Sequence, residues 1–238
     1  MSVSIIIPLL NEADNITRLV NHITGLNPPP LQVILVDGGS NDDSVAIAET
    51  LIADWQETSA MRLTIDWQLI CSPTGRAQQM NTGASIAAGD ILLFLHADTR
   101  LPNHAVAEVG QAMTRFEWGR FDVRLDSCHP LLKIVSTMIN QRSRWTRIAT
   151  GDQAIFIKRS VFEAIGGYAD LPLMEDVELC KRLKKTSQPA CLTSKVITSA
   201  RRWQRHGMWR TIFLMWHLRF DYWRGVSAKT LKQRYYKS

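Results

Sequence analysis

Three short, largely apolar runs in the first hundred residues, Val3–Ile7, Leu31–Val36 and Ile91–Leu95, and a third strand at the more polar Leu63–Ile70, are separated by segments with helical spacing. Runs of this length, rich in β-branched residues and leucine, suit strands buried on both faces, as in a parallel sheet covered by helices. Between the first two, Asn11 reads as an N-cap with Glu12 and Asp14 behind it. Ile16, Leu19, Val20 and Ile23 then form the apolar stripe, and Gly25 with Pro28–Pro30 ends it. Ser40 and Asp43 read as a capping box for a second helix reaching about Ala53, and Gly75 to Ala88 is a third. The alternation implies βαβ units and an α/β fold: a mostly parallel central sheet with helices on both faces. In such sheets ligands bind beyond the carboxyl ends of the strands. Polar clusters stand at those ends: Pro8–Asn11, Asp37–Asp42 and His96–Asp98.

The second half is less regular. Helices are expected at Asn103–Thr114, Leu131–Ile148, Val161–Ile165 and Glu175–Lys184, and strands at Gly119–Asp126 and Gln153–Lys158. With no internal repeat and no linker, nothing cuts residues 1–199 into two domains. Hydrophobic residues at 45% and charged residues at 21% exclude wholesale disorder. No apolar run is long enough for a conventional membrane span, and the first residues lack a basic leader. The four cysteines form no CxxC pair, which argues against a zinc ribbon; a reducing cytoplasm is the expected compartment.

Charge divides the chain. Residues 200–238 hold ten Lys/Arg against Asp221 alone, a net +9, leaving eighteen basic and twenty-one acidic residues, net −3, in 1–199. Anionic partners are therefore sought at the C-terminal segment. There Arg201-Arg202-Trp203-Gln204-Arg205-His206-Gly207 reads either as a segment closing over a diphosphate or metal, or as a solvated basic turn. Met208–Trp223 is a Trp-rich, Arg-interrupted helix with two open readings: contact with the membrane surface, from the cytoplasmic side, or packing on the core or on a second subunit. Lys229–Lys237 is a basic helical end.

Asp98, delivered by the most apolar strand, suits a hard divalent cation that wants oxygen ligands, or simply caps a turn. Asp37 before Gly38-Gly39 can accept hydrogen bonds from a base or ribose, or order its own turn. Arg76 at a helix N-terminus, followed by Gln79 and Asn81, suits an anion; the alternative is a solvated helix end. Glu175-Asp176 opens a helix, where acids balance the macrodipole or one serves as general base.

Taken in order, I-I-I-P-L-L-N-E (5–12), L-V-D-G-G-S-N-D (35–42), G-R-A-Q-Q-M-N-T-G-A (75–84), A-A-G-D-I-L-L-F-L-H-A-D-T (87–99), F-E-A-I-G-G-Y (162–168) and M-E-D-V-E-L-C-K-R-L (174–183) resemble the family 2 glycosyltransferases from Val3 to about Lys184. The His-Ala-Asp version, with the Arg-rich 201–207 segment, is similar to a bacterial subgroup of small soluble members. The resemblance implies a GT-A-type catalytic domain over 1–199, with a nucleotide-binding half to about residue 100 and an acceptor half over 101–199, and inverting transfer from a nucleotide-diphosphate sugar, UDP- or GDP-linked, assisted by Mn²⁺ or Mg²⁺. Carried over, Pro8, Asn11 and Glu12 border the nucleotide, Asp37 contacts the base and Arg76 approaches the nucleotide, with Gly38, Asn81, His96 and Ala97 of the same motifs also on the donor; beyond the family core, a closing 201–207 segment would add Arg201 and Arg202. Asp98 is then the metal ligand, with His206 a second candidate, and Asp176 the general base beside Glu175. Two departures stand out: His96 where an acid is common, and Gly38 where a second acid is common. A sugar-1-phosphate nucleotidyltransferase would carry a glycine-rich loop where Pro8–Glu12 stand. A non-enzymatic module binding nucleic acid or membrane accounts for the basic tail but leaves the acidic strand ends unexplained; no nucleic-acid partner is expected.

Overall fold

The computed structural model of the chain describes residues 1–58 and 65–237, the side chains of Thr58, His206 and Lys237 excepted. Its elements run β1 (Val3–Leu9), α1 (Ala13–Thr24), β2 (Gln32–Asp37), α2 (Ser44–Thr58), β3 (Asp66–Cys71), α3 (Arg76–Ile86), β4 (Ile91–Phe94), β5 (Thr99–Arg100) and α4 (Ala105–Ala112). Then come β6 (Trp118–Leu125), α5 (Pro130–Thr146), a 3₁₀ turn (Gly151–Gln153), β7 (Phe156–Lys158), α6 (Arg159–Ala164), α7 (Glu175–Thr186), β8 (Ala190–Thr198), α8 (Arg201–His206), α9 (Met208–Trp223) and α10 (Ala228–Lys237). The start expected for the third strand, at residues 63–64, lies outside the described residues.

One sheet of order β3-β2-β1-β4-β7-β6-β8-β5 organises the molecule. The β3-β2-β1-β4 half is parallel throughout, as expected. Beyond it β6/β8 is parallel but β4/β7, β7/β6 and β8/β5 are antiparallel, so the sheet is mostly parallel, with β7 and the edge strand β5 running against the other six. Side chains alternate across each strand. Ile5, Ile7, Leu9, Val33, Leu35, Ile91 and Leu93 therefore face α1, α2 and α4, through Ile16, Leu19, Ala48 and Val109. Ile6, Ile34, Val36, Leu92 and Phe94 face α3, α6 and α7, through Met80, Phe162 and Leu179. In register, Leu9 pairs with Asp37 and Asp37 with Cys71, so β1, β2 and β3 end level. Ile6 pairs with Phe94, so the residues leaving β4, His96 to Asp98, rise beside the end of β1.

Several local expectations change. β1 continues through Pro8, and Asn11 adopts φ 55° outside the helix, so it caps nothing; α1 begins at Ala13 after Glu12. The Ser40/Asp43 capping box does not form either. Instead the Asp42 carboxylate accepts the Ser44 N–H (3.0 Å) at the start of α2. β8 and the two-residue β5 beside it are strands the sequence reading did not expect. β8 carries Thr193, Ser194 and Lys195 in its middle and is partly exposed, which hides its pattern.

The basic segment 200–238 folds onto residues 1–199 as α8, α9 and α10. Ala200 and, from α8 and α9, Trp203, Met208 and Ile212 pack with Leu125 of β6 and Leu132 and Val135 of α5. Leu214, Leu218 and Tyr222 of α9 and Leu231 and Tyr235 of α10 pack with Met174 and Val177, on either side of the opening of α7. Among the described residues no helix is long and apolar enough to cross a membrane.

Candidate functional site

At the carboxyl edge the β1 and β2 loops are tied to each other. Asn11 Oδ1 accepts the Asn41 N–H (2.9 Å), and the Asn11 N–H donates to Ser40 Oγ (2.9 Å). The Ser40 hydroxyl in turn donates to Asp37 (2.6 Å), whose buried carboxylate also accepts the N–H groups of Gly39 (2.8 Å) and Ser40 (3.0 Å). Asp37 thus orders its own turn. A carboxylate has about four acceptor positions, so these three donor groups leave room for another. Gly38 is explained by what lies behind it: a Cβ there would come 2.9 Å from the Gln79 side chain. That amide is buried, donating to the Leu9 (2.7 Å) and Val36 (2.8 Å) carbonyls, so the second acid of the common motif has no room here.

The end of β4 brings Asp98 towards α1 and α8. Arg201 reaches both Glu12 (3.6 Å) and Asp98 (3.9 Å). Burial raises the Glu12 pKa; Asn15 opposes this, Asp98 adds to it and Arg201 opposes it. A cleft of about 350 Å³ opens beside this corner, lined by Asp14, Asn15, Arg18, Asp98, Arg201 and Gln204 among others. It lies on the α1 side of Asp98, and neither Asp37 nor Asp176 lines it.

The third corner is the N-terminus of α7. Asp176 Oδ2 accepts the Gly151 N–H (2.8 Å), and Oδ1 the N–H of Val177 (2.7 Å). Burial, reinforced by the adjacent Glu175, nevertheless pushes Asp176 up to about 6 against these bonds and the charge of Arg76. His96 packs on the same Gly151, where a Cβ would sit 2.5 Å from Nε2. Burial and the nearby Arg76 push the imidazole down to about 3, so it is neutral at physiological pH. Arg76, at the first turn of α3, remains solvent-exposed along part of its length. Partial desolvation opposes its charge, but Glu175, Tyr235, Tyr236 and Asp176 outweigh that and its pKa rises. Gly151 therefore links the β4 exit to α7, packing on His96 and bonding Asp176, with the charges of Arg76 and Glu175 acting on the pair.

Two expected donor contacts have other partners. Asn81 clamps the Tyr168 backbone with both ends of its amide (2.8 and 2.9 Å), holding the Gly166-Gly167 turn. Arg202 lies over the Tyr235 ring (3.6 Å) and donates to the Tyr235 carbonyl (2.8 Å). Pro8 and Ala97 are buried backbone-shaping residues at the strand ends. The His206 side chain lies outside the described residues. Missed in the sequence were Gly151 and Asp152, together with Arg142 of α5. Burial raises the Asp152 pKa, with Thr150 and Arg142 opposing and Asp176 adding to the rise. Burial lowers that of Arg142, against Asp152 and Asp176. Gly-Asp-Gln at 151–153 between a helix and a strand is the one signal that could have found this turn.

An Mg²⁺-class ion is commonly bound through one or two carboxylates and completed by substrate phosphates and water. Among the described residues no group of three or more His, Cys, Asp or Glu side chains is placed to cage a metal. Asp98 offers one partly exposed carboxylate at a strand end, which fits an ion completed by a diphosphate.

Residues 4–166 match the sequence model of the family described as Glycosyl transferase family 2. A PGL/p-HBAD biosynthesis glycosyltransferase of Mycobacterium bovis (strain BCG / Pasteur 1173P2) is 28% identical over 189 residues, 69% of this chain and 62% of that protein. The fold is similar to that of S. aureus TarS 1-349 in complex with UDP, at TM-score 0.67 and 15% identity over 84% of this chain and 60% of that one. It is also similar to the mannosyltransferase PcManGT from Pyrobaculum calidifontis in complex with GDP-Man and Mn²⁺, at TM-score 0.63 and 20% identity over 92% of this chain and 60% of that one. The chain thus spans less than two thirds of the length of each of these proteins.

Proposed function

Since the chain belongs to Glycosyl transferase family 2, we propose that it transfers a sugar, with inversion, from a nucleotide-diphosphate donor to an acceptor hydroxyl. The observation that carries this reading is Asp176: a carboxylate raised to about 6, fixed by two backbone N–H groups, beside an arginine at the sheet's ligand-binding edge. A general base works best with a pKa near the operating pH. Asp176 takes the acceptor's hydroxyl proton as the oxygen attacks the anomeric carbon from the face opposite the leaving group. The bond from that carbon to the diphosphate oxygen breaks, and the diphosphate leaves with the electron pair. Arg76 and Arg201 supply positive charge on that edge. A divalent ion, held by Asp98, would supply Lewis-acid neutralisation of the leaving group. Asp37 accepts from the nucleobase at its remaining position, on the loop stiffened by Ser40 and Asn11. The UDP complex of TarS and the GDP-Man and Mn²⁺ complex of PcManGT support a donor of this class and a metal of this kind.

A thermal-shift screen of nucleoside diphosphates and their sugars, with and without Mn²⁺, tests the reading. A donor present at a hundred times its Kd stabilises by about 2.7 kcal/mol, and Asp98→Asn should remove the Mn²⁺-dependent part. If no nucleotide sugar shifts the transition, the proposal fails.

A further inference from the structure

The outer face of α9 remains unexplained by transfer chemistry. Trp209, Phe213, Trp216, Phe220 and Trp223 are each more than half exposed, between 53% and 76%. Their spacing of four, three, four and three residues places all five within an arc of roughly 80° on an α-helix. Arg210, His217 and Arg224 follow one edge of this stripe and Arg219 the other, and Arg224 lies 5.7 Å from the Phe220 ring. The only acid in the segment, Asp221, is on the opposite side, buried and paired with Arg234. On α5, packed against the start of α9, Ile134, Met138 and Trp145 are also exposed, Trp145 at 82%.

We propose that this aromatic stripe docks the protein onto the surface of an anionic lipid bilayer. Tryptophan and phenylalanine with flanking arginines suit the boundary between headgroups and acyl chains, and basic side chains draw such a helix to negative lipid. Charge complementarity selects the bilayer over a second copy of the chain. Pairing two stripes would bring together two segments of net +9, and like charges repel. On its other side Leu214, Leu218 and Tyr222 rest on Met174 and Val177, which stand on either side of Glu175-Asp176. Docking would hold the proposed base close to the lipid surface. The proposal stands apart from the transfer reaction, and its test needs no turnover.

The test is co-sedimentation of the full chain with vesicles of phosphatidylcholine alone or mixed with phosphatidylglycerol, with tryptophan emission read in parallel. Binding to the mixed vesicles, with a blue shift and a loss at high salt, is expected; phosphatidylcholine alone should bind far less. Trp216→Ser with Phe220→Ser should abolish the binding without changing Tm. Arg210→Gln with Arg224→Gln, which leaves the aromatic stripe intact, should weaken it by roughly tenfold or more, each surface-facing basic residue being worth about fivefold. Sedimentation velocity should show a monomer. The proposal is overturned if mixed vesicles do not bind the chain, if either double variant binds like the parent, or if a dimer forms that the Trp216→Ser, Phe220→Ser variant dissociates.

Discussion

Asp176 shows what a single carboxyl environment dictates. Burial and Glu175 raise its pKa from an ordinary 3.8 to about 6. The folded chain therefore holds this proton more tightly than the unfolded chain, so the group's contribution to stability falls as pH rises from about 3.8 to about 6. The Tm of Asp176→Asn minus that of the parent should accordingly grow over this interval, as measured by scanning fluorimetry at several pH values. Turnover should move the opposite way in the parent, with kcat/KM rising as pH passes about 6 and the base loses its proton. His96, neutral down to about 3, contributes no inflection in that range. Gly151→Ala supplies a positional test, since its Cβ would lie 2.5 Å from His96 Nε2. Displacing that turn weakens the N–H bond to Asp176, so kcat should fall by roughly a hundredfold and the acid limb of the pH profile should move to higher pH. The placement of Asp37 and Asp98 at strand ends and of Asp176 at a helix start was legible in the sequence, because apolar runs and helical spacing mark those boundaries. Gly151 was not, because its importance lies in a close approach between residues far apart in the chain.

Elements held by buried polar groups account for what the hydrophobic pattern could not reveal. β6 and α5 are joined by Asp122, which pairs with the fully buried Arg120 and receives both arms of Arg144 (2.7 and 2.9 Å). Asn140 adds both of its amide groups to the Val123 backbone (2.8 and 3.0 Å). Removing one partner of a buried pair strands the other charge at about 3–5 kcal/mol. Asp122→Ala should lose stability on that order in urea titration, well beyond an exposed pair such as Arg100–Asp126. The parallel half of the sheet was legible because β1, β2 and β4 are continuous apolar runs buried on both faces. β8 was not, since its polar middle faces partly outward and its partner β5 has only two residues. Both expected caps failed for one reason: Asn11 and Ser40 bond across the loops, tying β1 to β2, instead of serving their own helices.

At the scale of the molecule, a net-negative unit carrying the acids is covered by a strongly basic three-helix segment that packs on the same helix as the proposed base. Leu231 of α10 is fully buried against Met174, Val177 and Leu218. Leu231→Ala should therefore cost about 2–5 kcal/mol in urea titration and depress kcat more than donor affinity, since the residues it supports flank Asp176. The measurement on which the whole reading turns is a side-by-side comparison of turnover and donor affinity in the parent and in Asp176→Asn. Loss of the base should reduce kcat by about 10²–10⁴-fold with donor Kd nearly unchanged; turnover at the parental rate would mean that another group accepts the proton and that Asp176 only shapes the start of its helix.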